Sequence, residues 1–294
     1  PMHRFLLFLG CGLAALAAGH AHAGTLPDTV GRGSCAVHKQ TDVAATMRDG
    51  VVLRADVYTP VTQDKVPVLL MRTQYGKAGA QTDPSRFHSP GWFASHCYIV
   101  VVQDIRGQGK SGGVFYEYRN DRNDGYDTVE WAARLPGSTG KVGMYGSSYV
   151  GATQWLAATA TPPSLATIVP SNTGSDYGDG WTYEDGAFRL AFIEPWMMED
   201  IASSAAENRG DRQLATELAA QGHNAAALMR QRPYATFTPF MVNGKNVAPY
   251  FYDAVSHSTS DPYCEQFDLT SRDANVSLPV LAFARWVYSF FSGR

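Results

Sequence analysis

A chain that reads Lys141-Val-Gly-Met-Tyr-Gly-Ser-Ser-Tyr-Val-Gly151 has to leave a short buried strand and enter a helix within two residues, with serine at the bend. Few folds accept such a corner. A hydroxyl held on a strained strand-to-helix elbow stands clear of its own backbone, where it can meet a base and donors for an oxyanion. Ser148 has Gly146 two residues before it and Gly151 three after, so close approaches at the corner meet no β-carbon. Ser147 is the weaker nucleophile, because the residue two before it is the bulky Tyr145. The common pattern is GxSxG, and Val150 stands where the second glycine usually sits. An ordinary Gly/Ser turn is the competing reading; the flanking strand and the helical run Tyr149 to Ala160 favour a nucleophile at Ser148.

The rest of the pattern says what kind of sheet the corner belongs to. Alternation over Asp42 to Met47, the turn Arg48-Asp49-Gly50 and the stretch Val51 to Tyr58 predict a β-hairpin. The continuous apolar runs Val66 to Met71 and Tyr98 to Val102 predict strands buried on both faces. A helix is expected over Asp124 to Ala133, with carboxylates near its start, and another strand over Ala166 to Val169. Strand and helix in alternation imply an α/β fold with a mostly parallel sheet. From Asp176 to about Asp273 aromatics, alanines and acids recur at helical spacing, with Ile201 to Ala219 and His223 to Arg230 as the clearest helices. The sheet pattern returns at Leu278 to Phe283. The expected organisation is therefore a signal segment 1–23, a first part of the core 24–175, an inserted helical cap 176–273 and a return to the sheet over 274–294.

With 45% hydrophobic residues, 17% charged residues and a net charge of −3, the chain has the composition of an ordinary globular protein. No basic patch calls for nucleic acid, and the expected partner is a small ester or peptide. Residues 2–23 combine His3 and Arg4, an apolar stretch from Phe5 to Ala18 and the exit Ala21-His22-Ala23, so a secretory signal cleaved after Ala23 is expected, with a secreted or periplasmic product and no membrane contact afterwards. A membrane anchor is disfavoured by the short, glycine-broken run, and lipid attachment at Cys11 by the very short apolar stretch before it. Cys35, Cys97 and Cys264 then allow at most one intrachain disulfide, with Cys97 read as a buried small hydrophobe. No cysteine or histidine spacing suggests a zinc site, and neither metal nor cofactor is expected.

Four blocks in order, Arg72-Thr-Gln-Tyr-Gly-Lys77, Gln103 to Gly112, the elbow, and Asp176 to Arg189, resemble the CocE/NonD group of α/β-hydrolases. That group is related to the X-Pro dipeptidyl-peptidase (S15) type, to cocaine-esterase-like enzymes and to the α-amino acid ester hydrolases. The likeness runs from about Ala44 to the end of the chain. It implies an α/β-hydrolase core with a helical cap, and a serine hydrolase that cleaves a small ester or amide through an acyl-enzyme. Ser148 matches the nucleophile. Tyr75 matches the tyrosine whose hydroxyl donates to the oxyanion, and the backbone N–H of Tyr149 matches the second donor. Asp179 and Trp181 lie in the stretch that opens the family's cap and are candidates to line the acyl pocket, Asp179 with a one-residue offset from the family's carboxylate. Asp104 and Arg106 are expected to form a structural ion pair or loop clamp rather than to act in catalysis.

The family's acid normally follows a late strand. The corresponding segment here, Ala284 to Gly293, keeps Trp286, Phe290 and Gly293 in register but puts Tyr288 where the aspartate belongs, and no histidine follows. A neutral phenol stabilises an imidazolium poorly. His223 and His257 are read as surface or structural, and Asp253 and Asp261 near His257 as an unconvincing dyad. The expectation is a truncated piece of a longer hydrolase, lacking the last strands and the C-terminal β-sandwich and with little or no turnover; the alternative is a non-catalytic secreted binding protein that uses the cap pocket.

Overall fold

The computed structural model describes residues 35–80, 88–174, 176–208, 210–224, 227, 230, 233–234, 240–242, 245–257, 262–265, 267–269 and 275–284. The signal segment, the expected helix His223 to Arg230 beyond its first residues, Asp261, and the block with Trp286, Tyr288, Phe290 and Gly293 lie outside them.

The hairpin expected from alternation is β1 (Val37–Thr46) and β2 (Val52–Pro60), antiparallel, with Gly50 at φ 84° in its turn. The apolar runs become β3 (Val66–Thr73) and β4 (Ile99–Asp104), and every residue of β4 is buried. Between them lie the short helices α1 (Lys77–Ala80) and α2 (Pro90–Ser95). Helix α3 (Asp121–Ala133) begins nearly a turn earlier than the apolar face suggests and leads into β5 (Ser138–Ser147); α4 (Tyr149–Thr159) and β6 (Leu165–Ser171) follow.

The six strands run in the order β1-β2-β4-β3-β5-β6, with β4, β3, β5 and β6 mutually parallel. The order matters for function. From β3 the chain crosses to β4 on one side, and from β5 it crosses to β6 on the other. Connections that diverge from two adjacent parallel strands leave a crevice beyond their carboxyl ends, the usual ligand position in such sheets. Tyr75 follows β3 and Ser148 follows β5.

Beyond β6 the chain forms a small hairpin, β7 (Tyr183–Glu184) with β8 (Ala187–Phe188), and then helices. The expected single helix Ile201 to Ala219 is not continuous. It is divided between a π-helical segment Met197–Ala202 that continues α5 (Leu190–Trp196), α6 (Ser203–Asn208) and α7 (Arg212–His223). Gly210, at φ 83°, turns the chain, and Asp211 caps α7 by accepting the Leu214 N–H at 3.0 Å. The helical period was legible, but a glycine followed by a capping residue ends one helix and starts the next. The return of the chain to the sheet is slighter than its apolar run suggests: Val280 and Phe283 make isolated parallel bridges to Ile168 and Ser171, and Val280, Leu281 and Phe283 are exposed.

Cys97 is not a free small hydrophobe. It is bonded to Cys35, closing a sequence separation of 62 residues, and Cys264 is free and buried. The sequence spacing could not choose the pair, because the choice depends on the residues before β1 reaching the end of α2, where the Cys35 N–H donates to the Ser95 carbonyl at 3.1 Å. A loop of that size is worth on the order of 4 kcal/mol in lost freedom of the unfolded chain. Among the described residues no helix is long and apolar enough to cross a membrane.

Candidate active site

Strand β5 cannot run straight into α4 without a sharp reversal, and two glycines make it possible. Gly146 sits at φ 147°, and a β-carbon there would overlap Val150 Cγ1 and lie 2.8 Å from Val150 Cβ. A β-carbon on Gly151 would lie 2.7 Å from Thr173 Cγ2. Ser148 itself adopts φ 62°, ψ −128°, a region that costs an ordinary residue about 1–3 kcal/mol. The neighbourhood holds it there. The Ser148 N–H donates to the Ser171 carbonyl at 2.9 Å, and the Ser148 carbonyl accepts from Gly151 at 2.8 Å and Ala152 at 3.1 Å. Buried Gln154 ties the ends of two strands together, donating to the Gly146 carbonyl at 3.2 Å and accepting from Val169 N–H at 2.9 Å. Ser148 is half-buried at the mouth of the crevice, whereas Ser147 is buried.

Tyr75 reaches the same point from the neighbouring strand. Its hydroxyl lies 3.4 Å from Ser148 Oγ, and its N–H donates to Thr73 Oγ1 at 3.1 Å, which fixes the turn after β3. Burial pushes the Tyr75 phenol above its ordinary range, and hydrogen bonding to Ser148 and Trp196 offsets part of that rise. It is therefore a neutral donor at physiological pH. Tyr149 is the first residue of α4, so its N–H belongs to the donors that have no carbonyl within the helix. A phenol thus lies beside the serine hydroxyl, and the residue after the serine carries a helix N-terminal amide, donors of the kind suited to an oxygen that becomes negative as a carbonyl is attacked.

Behind these donors lies a buried polar network that sequence reasoning missed. The Tyr149 hydroxyl donates to Asp121 Oδ2 at 2.8 Å and accepts the Tyr118 N–H at 2.9 Å. Asp121 Oδ1 is 3.4 Å from Arg72 Nη1, which also donates to the Asp121 carbonyl at 3.2 Å. Arg72 Nε donates to Gln103 Oε1 at 3.1 Å, and Thr153 Oγ1 on α4 donates to the Arg72 carbonyl at 3.1 Å. Arg72 has no exposed surface. Helix α3 comes close enough to join because Gly125 has no side chain: a β-carbon there would lie 2.6 Å from Ala157 Cβ on α4. The Tyr149 ring stacks on Tyr118 at 4.9 Å, and Tyr118 stacks on Tyr177 at 4.7 Å. One sequence signal was available. An arginine that directly continues the buried apolar run Val66 to Met71 must meet an anion, since a lone buried charge is too costly.

The other candidates fall elsewhere. Asp104 and Arg106 do not pair with each other. Asp104 accepts the N–H groups of Lys77 at 2.5 Å and Lys110 at 2.9 Å, and so clamps the loop after β4, while Arg106 binds Asp124 at 2.6 Å and Asp49 at 2.7 Å. Asp179 uses its carboxylate on the Asp185 N–H at 3.1 Å within the β7–β8 hairpin. Trp181 has no exposed surface and is packed among Tyr118, Tyr177, Phe192 and Trp196, as core rather than as open pocket wall. The described histidines are committed away from the serine. His223 Nδ1 is 2.7 Å from Glu199, His257 stacks on Tyr263 at 4.5 Å, His88 and His96 each lie 3.8 Å from the Trp92 ring, and His38 is exposed on β1. Asp253 accepts from the Tyr116 hydroxyl.

Glu194 on α5 is a buried carboxyl, 1% exposed, and among the described residues neither of its oxygens has a hydrogen-bond partner. Desolvation and the neighbouring Glu199 push its pKa from 4.5 up to about 7. The folded chain thus holds a proton that the unfolded chain gives up between those values. Its contribution to stability is complete below pH 4.5 and is lost as the pH rises through 7. Glu194→Gln is accordingly expected to melt higher than the parent at pH 8 and to match it near pH 4.5; equal melting temperatures at pH 8 would show that the carboxyl carries no such penalty.

The model of the X-Pro dipeptidyl-peptidase (S15) family matches residues 49–290. Cocaine esterase from Rhodococcus sp. (strain MB1 Bresler) is 32% identical over 261 residues, which cover 86% of this chain and 44% of that protein. Among solved structures, a CocE/NonD family hydrolase from Staphylococcus aureus superposes with a TM-score of 0.62 at 21% identity, covering 82% of this chain and 40% of that one. An α-amino acid ester hydrolase superposes with a TM-score of 0.56 at 22% identity, covering 92% and 46%. These structures share the fold, an α/β-hydrolase arrangement of a mostly parallel sheet with helices. The chain spans less than half the length of each of these relatives.

Proposed function

The chain belongs to the X-Pro dipeptidyl-peptidase (S15) family, a hydrolase family, and on that premise we propose that it is the nucleophile-bearing part of a secreted or periplasmic serine hydrolase acting on small esters or amides. The observation that carries this reading is the meeting of Tyr75 Oη and Ser148 Oγ at 3.4 Å, with Ser148 on a strained elbow at the sheet's crevice. Ser148 Oγ adds to the substrate carbonyl carbon while its proton passes to water, from which the departing alcohol or amine later takes one up. Tyr75 Oη and the Tyr149 N–H hold the resulting oxyanion. Collapse expels the alcohol or amine, and water releases the acyl group from Ser148. The Cys35–Cys97 disulfide supports an oxidising compartment.

Tyr75 is the hydrogen-bond partner of Ser148 Oγ among the described residues, and no described histidine stands ready to take its proton. We therefore expect residues 1–294 alone to be slow, with an advantage of roughly 10³–10⁴ over water left from the oxyanion donors and binding. The same observation favours a second reading, a non-catalytic binding protein that uses the cap. Prolonged incubation with a fluorophosphonate, followed by peptide mass spectrometry, separates the two. The hydrolase reading requires an adduct on Ser148 that is absent from Ser148→Ala; a folded chain that stays unmodified there supports the binder.

A further inference from the structure

We propose that the buried Arg72–Asp121 pair is a positioning element that sets the spacing of the two oxyanion donors, an inference that rests on the acyl-transfer reading above. The donors arrive on different elements, Tyr75 on the turn after β3 and Tyr149 at the start of α4, and their separation depends on how those elements are joined. Arg72 joins them twice. Its carbonyl accepts from Thr153 of α4 at 3.1 Å, and its guanidinium holds Asp121, which receives the Tyr149 hydroxyl at 2.8 Å. Arg72 precedes Tyr75 by three residues on the same strand end, and Tyr149 directly follows Ser148 as the first residue of α4. One ion pair thus fixes the root of each donor while touching neither the serine nor the crevice.

The pair is poorly explained as a device for stability. A buried ion pair gains little over apolar side chains of the same volume, because both charges must be stripped of water. It does fix direction. Asp121 opens α3, where the helix dipole favours its charge, and it is 4% exposed; Tyr149 is held from one side by this carboxylate and from its ring face by Tyr118. Nothing else among the described contacts anchors the Tyr149 hydroxyl except the Tyr118 N–H. Without its hydroxyl, the Tyr149 ring still fills its slot but no longer reports the position of β3 to the amide of α4.

The test is the rate of Ser148 phosphonylation by a fluorophosphonate in the full chain, in Tyr149→Phe, in Tyr75→Phe and in the double variant. Tyr149→Phe keeps the packed ring and is expected to stay folded. Its maximal rate should fall about 10- to 100-fold with unchanged initial reagent affinity, the signature of a displaced donor rather than lost binding. In the Tyr75→Phe background the same change should cost less than about threefold, because the spacing being set no longer exists. Asp121→Asn, where it folds, should behave as Tyr149→Phe does. A Tyr149→Phe rate within about twofold of the parent, or a loss fully additive in the double variant, overturns the positioning role while leaving the hydrolase reading intact. A parent that never labels at Ser148 overturns both.

Discussion

Tyr75→Phe is expected to react with a fluorophosphonate at Ser148 on the order of 10²–10³ times more slowly than the parent, the usual cost of removing one oxyanion donor. The change deletes a single oxygen. The ring remains packed beside Met71, Val102, Tyr145 and Val150, and the hydroxyl lies 3.4 Å from the Oγ of half-buried Ser148. Loss of one such bond costs about 0.5–1.5 kcal/mol, so the melting temperature should move by only a few degrees, about 2–4 °C per kcal/mol for a chain of this size. Reactivity and stability are therefore expected to separate. The phenol is well suited to the task, since burial holds it neutral and so keeps its proton available for donation. A loss of threefold or less in the variant would mean that the Tyr149 amide and its helix supply the whole stabilisation, and the assignment of Tyr75 would fall.

Gly146→Ala is expected to remove Ser148 reactivity and to destabilise the chain by about 3–5 kcal/mol, a sum of overpacking and unfavourable backbone. Two effects add. At φ 147° an L side chain is strained whatever the space, and the new carbon would overlap the Val150 side chain. Val150 cannot easily give way. It lies in the first turn of α4, and its carbonyl accepts from Thr153 Oγ1 and Gln154 Nε2, both at 3.0 Å. Relief must come from the elbow itself, which shifts Ser148 away from Tyr75. Gly140→Ala is the control: its φ of 81° is also positive, but no atom lies within 4 Å, so only the backbone cost of about 1 kcal/mol is expected. Urea titrations of the two variants, with labelling of Ser148 in each, decide the matter. Equal destabilisation in both would show that the corner is not the tightly packed feature described above.

The remaining correspondences between sequence and structure divide by distance along the chain. The elbow, the β1–β2 hairpin and the runs of β3 and β4 were legible because each follows from neighbouring residues: glycines relieve local clashes, and an unbroken apolar run needs cover on both faces. The helix expected over Ile201 to Ala219 failed at Gly210, where turn chemistry outweighs a continuing helical period. Asp104 and Arg106 serve as a loop clamp and in ion pairs, as expected, but their partners, like the disulfide partner of Cys97, were not legible in the sequence. Each was correctly placed beside a buried strand, yet most of what it bonds to lies far along the chain: Lys77 for Asp104, Asp49 and Asp124 for Arg106, Cys35 for Cys97.

Local sterics and the burial of apolar side chains depend on residue order alone, and through them the chain's own sequence determined an α/β sheet with a serine turned out at one corner. The strand order that opens a crevice between β3 and β5, the bond from Cys35 to Cys97, and the convergence of Arg72, Asp121 and Tyr149 behind the two donors were decided only by the tertiary structure. The reason is physical. Groups separated by dozens of residues meet only after the loops between them close, and the partner each buried charge or thiol finds is whichever one the completed packing brings within a few ångströms.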